Sequence, residues 1–521
     1  MQLTEKNLYS NEKKINVIDD VALIDLLGRD FLGKVGIDYR IFKTLAERNI
    51  SVSFIVQGSF EKGIGIVVSV ENADEAAAAL RQEFCNELKN KEVYEIALDK
   101  EIAVVSVTGQ NWETFHKSLN ALFKNNITPI LINNTTSGEN VSLVLKKEDA
   151  LRAKKLIYSE IFGTSKKINI AIFGHGTIGS TLIDQILSNI DSIEQKKGIH
   201  LNIFAITDSK KAIFNENGIK ADWREKLKNA GKTYKIEDIV TFAKIHSLEN
   251  LIAVDNTAGS NFVQNYIYLI KNSFDLVSAN KIANTLPYDF FEKIRKALEQ
   301  HKKRYLYETN VGAGLPLIDT IALLHLSGEN ITRVRGVFSG TLSYIFNRYS
   351  IENQPFSQIL KDAVAAGLTE PDPREDLSGA DVARKLLILA RELDLKNEMR
   401  DVHVQNLVRP NLRTIPQNDF FENLHVLDAD FQDIKNKLQS GHVLRYVGDL
   451  SGDLQQEKGI LEVKLVSVPE YSVLGQLRGS DSIFEIYTES YGAQPLVIQG
   501  AGAGASVTAR GVFGDILRLS V

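Results

Sequence analysis

Residues 168–187 read INIAIFGHGTIGSTLIDQIL. A β-branched apolar run stops at Gly174, and glycines at 174, 176 and 179 separate it from a stretch in which Leu182, Ile183, Ile186 and Leu187 recur at helical spacing. Strand, glycine turn and helix in direct succession admit few folds. Gly174 permits the tight turn, Gly176 lets the backbone approach a pyrophosphate, and Gly179 lets the helix sit close to the strand. The unpaired N–H groups and positive dipole end of the following helix favour an anion. The pattern predicts the first step of a doubly wound α/β sheet that holds a dinucleotide. The plainer alternative is a glycine turn that binds nothing.

The next strand ends in FAITD, so Asp208 can accept hydrogen bonds from a ribose and favour NAD. It lies 32 residues after Gly176, against a usual ~20, and Lys210 and Lys211 follow with charge suited to a 2′-phosphate. These residues leave NAD and NADP both open. His175, inside the turn, is expected to face solvent.

Composition narrows the class. The chain has 521 residues, 61 basic against 66 acidic, a net of −5, which argues against a nucleic-acid footprint. No apolar run approaches the ~18 residues of a membrane span, and the start, MQLTEKNLYSNEKK, carries no secretory pattern. A single cysteine, Cys85, excludes an internal disulfide and a cysteine-rich zinc site, and a reducing cytoplasm is the expected address. At ~150 residues per domain, the length implies three or four domains.

After a polar tail (1–14), two similar units follow. Strand Val21–Leu27, helix Tyr39–Arg48, strands Ser51–Gln57 and Gly63–Val70, and helix Asp74–Phe84 make the first. Strand Ile102–Val107, helix Trp112–Asn125, strands Pro129–Asn133 and Asn140–Leu145, and helix Lys147–Ile161 repeat the order. The expected limits are 15–91 and 92–163. An α/β region follows from 166 to 302, then a mixed region, 303–498, and a closing strand, Gly-Ala turn and helix.

Three places carry chemistry. Asp381 and Lys385, four apart in a helix starting near Ser378, share one face; an exposed ion pair is the plainer reading. Lys281 follows the strand-like run Phe274–Ser278, at the strand end where open α/β sheets place ligand groups; a surface lysine is the alternative. The loop EPDPRED (370–376) concentrates carboxylates, Glu370 and Asp376 among them, and suits an ammonium group or plain solvent. The glycine turn 500–504, with Gly502 at its centre, feeds a helix whose N–H groups could also face a cofactor.

The segments IAIFGHGTIG, VDNTAG (254–259), SANK (278–281), YETNVGAGLPLI (307–318), GVFSGTLSYIF (336–346), GLTEPDPREDLSGADVARKLLILARE (367–392) and GAGAGASVTARGVFGDI (500–516) resemble homoserine dehydrogenase from Ile168 to Val521. KVGIDYRIFKTLAERNISVSFIVQGS (34–59) resembles the paired ACT domains of aspartokinase, an arrangement similar to the rear part of the bifunctional aspartokinase–homoserine dehydrogenases. Only about 14 residues precede the first unit and no KFGG-type start is present, so kinase activity is not expected.

The resemblance implies tandem ACT units, an NAD(P)-binding domain formed by 166–302 with 499–521, and an α+β catalytic and dimerisation domain over 303–498. It implies reduction of aspartate 4-semialdehyde to homoserine. Lys385 would be the general acid, Asp381 would orient it and touch substrate with Glu370 and Asp376, and Lys281 would contact cofactor and substrate as a second proton-handling lysine. Thr177 and Ile178 would meet the pyrophosphate, and Asn256 and Thr257 the nicotinamide end. Glu308, Val311, Ala313 and Leu315 would hold a monovalent cation, Na⁺ or K⁺, as hard oxygen donors. An amino-acid effector, most plausibly threonine, would bind near the turn Gly33–Gly36 with Asn49 and Gln57; dimerisation alone is the alternative for this half. A homodimer or homotetramer is implied.

Two other readings compete. Oxidation of the aldehyde through a thioester needs a cysteine nucleophile, and Cys85 lies far upstream in a predicted ACT helix. A pure amino-acid sensor with an inactive dehydrogenase would be expected to lack Lys385, Asp381 or Lys281, and all three are present.

Overall fold

The computed structural model describes residues 14–28, 35–57, 63–109, 112–135, 139–163, 165–231 and 233–520. The polar tail through residue 13, Gly33 of the first glycine turn, and Gln110 lie outside them. The chain divides into two compact units: 1–167 with 194–200 and 241–250, and 168–193 with 201–240 and 251–521.

In the first unit the chain runs β1 (Lys14–Ile18), β2 (Val21–Gly28), helix Ile37–Ala46, β3 (Val52–Gln57), β4 (Gly63–Ser69), helix Ala73–Glu83 and β5 (Val93–Asp99). It continues through β6 (Ile102–Thr108), helix Trp112–Lys124, β7 (Leu131–Asn134), β8 (Asn140–Lys146) and helix Ala150–Phe162. These form two four-stranded sheets, ordered β3-β4-β2-β5 and β1-β6-β8-β7.

Two strands were not expected from the sequence. β5 pairs with β2 and completes the first sheet, whereas β1, at the start of the first expected repeat, pairs with β6 and completes the second. The expected limits 15–91 and 92–163 therefore each misplace one strand. Both strands are weak in local pattern, since β1 is five residues long and β5 alternates poorly. Their pairing is decided by open sheet edges elsewhere in the chain.

Strand alternation sorts the apolar residues onto two layers. Ile24, Leu26 and Ile66 pack under Ile41, Leu45 and Leu80 of the first pair of helices, and Val105, Leu143 and Leu145 under Leu156 and Ile157. The opposite faces meet through Val21, Leu23 and Val67 of the first sheet and Ile102, Val104 and Val144 of the second.

The second unit is built on two six-stranded sheets. β9 (Lys166–Phe173), β10 (Ile199–Thr207), β11 (Ala212–Phe214), β12 (Leu251–Asp255), β13 (Phe274–Ser278) and β14 (Tyr305–Leu306) take the order β11-β10-β9-β12-β13-β14. β9, β12, β13 and β14 are parallel; β11 runs against β10 at the edge. The order reverses between β9 and β12, which is where a doubly wound sheet opens a ligand crevice.

β15 (Ile331–Val337), β16 (Val402–Val404), β17 (His442–Ser451), β18 (Ile460–Pro469), β19 (Ser482–Thr488) and β20 (Leu496–Gly500) form the other sheet, ordered β16-β18-β17-β15-β19-β20. The helix Ala380–Glu392 lies on β17 and β18, and the closing helix Ala505–Ser520 packs against helix Thr177–Leu187 and β13 of the nucleotide-type sheet.

Candidate active site

The three turn glycines occupy distinct environments. Gly174 has φ +85°, and a Cβ there would lie 2.9 Å from the Asn256 carbonyl oxygen. A Cβ on Gly179 would lie 2.1 Å from the Gly174 carbonyl oxygen, whereas one on Gly176 would point into open space. Two glycines thus serve packing and the third leaves room for a ligand. Helix Thr177–Leu187 starts at Gly176 without a side-chain cap, so the N–H groups around Thr177 and Ile178 remain available.

Asn256 and Thr257 leave β12 across the switch point. Thr257 N–H donates to buried Asp255, and Asn280 Nδ2 reaches Asp255, Thr257 Oγ1 and the Gly259 carbonyl at 3.0–3.2 Å. Tyr266 adds a 2.7 Å hydrogen bond to Asp255. The Asn256 amide is enclosed, and neither its oxygen nor its nitrogen has a partner among the described residues. An orphaned amide at this place fits a polar ligand group such as a carboxamide.

At the adenosine end, Asp208 Oδ1 accepts N–H groups of Lys210 and Lys211 at 2.6 and 2.5 Å. Burial pushes the Asp208 carboxyl up, but these two hydrogen bonds and nearby cations bring it below its ordinary value. Lys211 is spent on the Lys228 carbonyl at 2.8 Å, while Lys210 is exposed. His175 does not simply face solvent: it is half-buried, edge-on to Trp223 with centroids 5.7 Å apart.

The reacting groups converge on one carboxylate. Lys385 Nζ lies 2.8 Å from Asp381 Oδ2 and donates to the Phe338 carbonyl at 2.8 Å; Lys281 Nζ lies 3.6 Å from Asp381 Oδ1. The side chains are 11%, 46% and 31% exposed for Lys385, Asp381 and Lys281, so the cluster is held yet reachable. Burial would raise the Asp381 carboxyl, but Lys385 and then Lys281 hold it well below the usual carboxylate range. Asp381 raises the proton affinity of Lys281, but burial with the charges of Lys385 and Arg384 outweighs this and lowers it. The helical i, i+4 spacing of Asp381 and Lys385 foretold their pairing; the Phe338 carbonyl and the Asp255–Asn280 scaffold were not anticipated, although both lie inside motif segments.

In the acidic loop, Glu370 is exposed and its N–H donates to Asp376 Oδ2 at 2.8 Å. Burial raises the Asp376 carboxyl, and the charges of Glu370 and Asp381 add to it, so an incoming cation would be favoured there. Gly502 is buried, and a Cβ on it would collide with Ser482 Oγ at 1.9 Å, so it serves packing at the turn before the closing helix.

Glu308 is buried, and its carboxylate accepts the N–H groups of Ile318 and Asp319 at 2.7 and 3.0 Å. Burial, then Asp319, pushes it up to about 8. Val311, Ala313 and Leu315 follow on a turn in which Gly312 and Ala313 have φ of +80° and +54°. One buried carboxylate of raised proton affinity beside a carbonyl-bearing turn fits a monovalent cation. Among the described residues no group of three or more His, Cys, Asp or Glu could hold a metal ion.

In the first unit, Gln57 pairs with Ile64 and Leu27 with Gly63, so Gln57 lies at the sheet end where β2 stops at Gly28. Asn49 lies beyond the opposite end of β3, roughly 20 Å away at ~3.3 Å per residue. Its φ of +54° gives it a turn role after helix Ile37–Ala46. The expectation that both residues meet one effector is therefore corrected. Asn134 occupies the matching end of the second sheet, next to the Thr108–Asn140 pair, and its amide is buried without a partner among the described residues.

A doubly wound sheet with this glycine turn, beside a carboxylate shared by two lysines, places the chain in the class of dinucleotide-binding folds with a candidate reaction site alongside. The comparisons give the family. Residues 174–308 match the homoserine dehydrogenase NAD-binding domain, 316–517 match homoserine dehydrogenase, and 24–84 match an ACT domain. The chain belongs to the homoserine dehydrogenase family and carries an N-terminal ACT region.

It is 37% identical to the chloroplastic bifunctional aspartokinase/homoserine dehydrogenase of Daucus carota over 98% of this chain and 56% of that protein. The chain thus spans little more than half the length of that relative. A crystal structure of a Candida auris protein of unknown function is similar over 68% of this chain and 98% of its own, at 32% identity and TM-score 0.62. A hyperthermophilic archaeal homoserine dehydrogenase in complex with NADPH shares the fold over 68% of this chain and 97% of its own, at 24% identity and TM-score 0.50. Among the described residues no helix is long and apolar enough to cross a membrane.

Proposed function

We propose that the chain catalyses the NAD(P)H-dependent reduction of L-aspartate 4-semialdehyde to L-homoserine, with amino-acid control through its ACT units. The observation that carries this reading is the Asp381 carboxylate shared by Lys281 and Lys385 at 3.6 and 2.8 Å, at the strand end beside the glycine turn.

The reduced nicotinamide, when bound, supplies the hydride. Lys385, oriented by Asp381 and the Phe338 carbonyl, gives a proton to the aldehyde oxygen as negative charge builds there. Asp381 keeps both ammonium groups in place. Glu370 and Asp376 receive the substrate ammonium, and Lys281 bridges substrate and cofactor. Gly174, Gly176, Thr177, Ile178 and Gly179 cradle the pyrophosphate, with Gly502 shaping the facing turn and Asn256 and Thr257 at the nicotinamide end.

The cofactor we favour is NADP(H): exposed Lys210 offers charge for a 2′-phosphate, while one oxygen of Asp208 is already committed to its own turn. Na⁺ or K⁺ sits on Glu308 with the carbonyls of Val311, Ala313 and Leu315 and supports this loop. Threonine is the effector we favour, at the sheet ends marked by Gln57 and Asn134. The protein works as a homodimer or homotetramer in the cytoplasm. The nucleotide-binding domain is 166–302 with 499–521, and the catalytic domain is 303–498.

A spectrophotometric assay with homoserine and NADP or NAD, in potassium, sodium or choline buffer, with and without threonine, tests each part. Turnover fastest with NADP and potassium or sodium, and a response to threonine, support the reading. Absence of turnover with both cofactors in cation-containing buffer overturns it.

A further inference from the structure

Helix Ala380–Glu392 carries Asp381 and Lys385 in its first half and Arg391 in its last turn. Arg391 is 3% exposed, with its guanidinium near the rings of Phe291 and Tyr288 at 5.0 and 5.9 Å. Burial lowers its proton affinity, and a buried guanidinium is costly unless its donors are used. Its Nη1 donates to the Asn284 carbonyl at 2.8 Å and its Nη2 to Glu398 at 3.2 Å, while its Nε has no partner among the described residues.

Asn284 ends the single turn Ile282–Asn284 that directly follows Lys281. Its N–H donates to the Lys281 carbonyl at 3.2 Å, and Lys281 Nζ returns to Asp381 at 3.6 Å. The contacts close a ring, from the helix through Arg391, Asn284 and Lys281 back to Asp381 on the same helix. Asn284 Nδ2 also reaches Asn310 at 3.0 Å, and Asn310 reaches the Ser278 carbonyl at 2.9 Å, so segment 278–284 is pinned at both ends.

We propose that Arg391 is a positioning residue that clamps the Lys281 turn to the helix bearing Asp381 and Lys385, and so sets the separation of the two lysines around their shared carboxylate. Its consequence for turnover rests on the dehydrogenase reading; its consequence for Lys281 does not. Arg is suited to the task because its fork serves two acceptors from one rigid plane, which a lysine cannot do. Lys281 faces Asp381, Lys385 and Arg384, and a loosened turn moves it away from all three toward solvent.

The test compares wild type with Arg391→Met and Arg391→Lys. Labelling of Lys281 by acetic anhydride across pH is read by mass spectrometry in the full chain without substrate, alongside kcat, KM and melting temperature. Loss of the clamp is expected to move the Lys281 labelling midpoint up by about half a pH unit or more, toward a solvent lysine. It is also expected to lower kcat by about tenfold, with a smaller change in the KM for cofactor. Arg391→Lys is expected to fall between the two, and it carries the same comparison if Arg391→Met does not fold. A lower melting temperature with an unchanged labelling profile and unchanged kcat overturns the proposal, leaving Arg391 a stabilising role alone. Absence of homoserine turnover in the wild type overturns the dehydrogenase reading, while the labelling profile still decides the clamp.

Discussion

In the dehydrogenase region the groups around the two carboxylates already satisfy one another, Lys385 and Lys281 on Asp381 and Asn280 and Tyr266 on Asp255, and the Asn256 amide is the exception there, left for a ligand. In the ACT region the residues at the equivalent strand ends stand apart. Gln57 is exposed at the end of β3, and the amide of Asn134 is buried without a partner among the described residues. The contrast separates two uses of polar groups. A catalytic site must hold its geometry before substrate arrives, so it is preorganised by internal bonds. A regulatory site gains its leverage from bonds that only the effector completes, because a ligand shifts an equilibrium by its differential affinity for the two states.

The first way to break this contrast is Lys385→Ala. If the site is preorganised for proton transfer, turnover falls about 10²–10⁴-fold while cofactor affinity holds. Steady-state rates and a nucleotide fluorescence titration check both parts, and an equal loss in cofactor affinity would mean that Lys385 binds rather than reacts.

A smaller effect is expected in the glycine turn. Gly179→Ala meets the Gly174 carbonyl at 2.1 Å and must distort the turn, lowering the melting temperature and weakening cofactor binding about tenfold or more. Gly176→Ala meets open space in the unliganded chain, so it should spare the melting temperature and weaken cofactor binding alone. Thermal melts and cofactor titrations of the two variants separate these outcomes. Loss of stability in Gly176→Ala would remove the assignment of its space to a ligand.

Protonation sharpens the comparison next. Asp381 is held below the usual carboxylate range by Lys385 and Lys281, net of the opposing effect of burial. A carboxyl with a depressed folded-state pKa contributes stability that is present above its unfolded value and lost as pH falls through the folded one. Any stability gap between wild type and Asp381→Asn should therefore persist at neutral pH and close only in acid below the ordinary carboxylate range. The same substitution removes the charge that raises Lys281, so Lys281 should lose its proton at lower pH and, where its charge contributes to turnover beside the proton donor Lys385, the alkaline limb of residual turnover should move down. Melts and rates across pH decide it; an unmoved limb would detach Lys281 from the reaction.

What could be read in the residues followed the same division. The turn at 174–179, the face shared by Asp381 and Lys385, and Lys281 at a strand end were legible because helix and strand periodicity fix where neighbouring side chains point. β1 and β5 were not, because their partners are remote in sequence and nothing local says which open edge a short strand will join. Asn49 is separable from Gln57 in the residues alone, because a strand over Ser51–Gln57 sets the two roughly 20 Å apart at ~3.3 Å per residue whichever way it runs. Arg391 carries no signal of its own in the sequence, and only the packing of the Lys281 turn against its helix gives it a task.

The smallest effect expected lies in the ACT region, and it bears most directly on the contrast. If Asn134 waits for an effector, Asn134→Ala removes hydrogen bonds that exist only in the bound state, each worth about 1 kcal/mol net. The threonine concentration for half-maximal response should then rise about fivefold for each bond lost, and Gln57→Ala should act similarly at the first sheet end. Because the amide makes no hydrogen bond among the described residues, replacing it should leave the melting temperature without threonine level or slightly raised, and shrink the rise that threonine produces. Thermal shifts across a threonine series measure both. A variant that melts lower without threonine, yet shifts as much with it, would show that the Asn134 amide serves the fold and that the two regions use their polar groups alike.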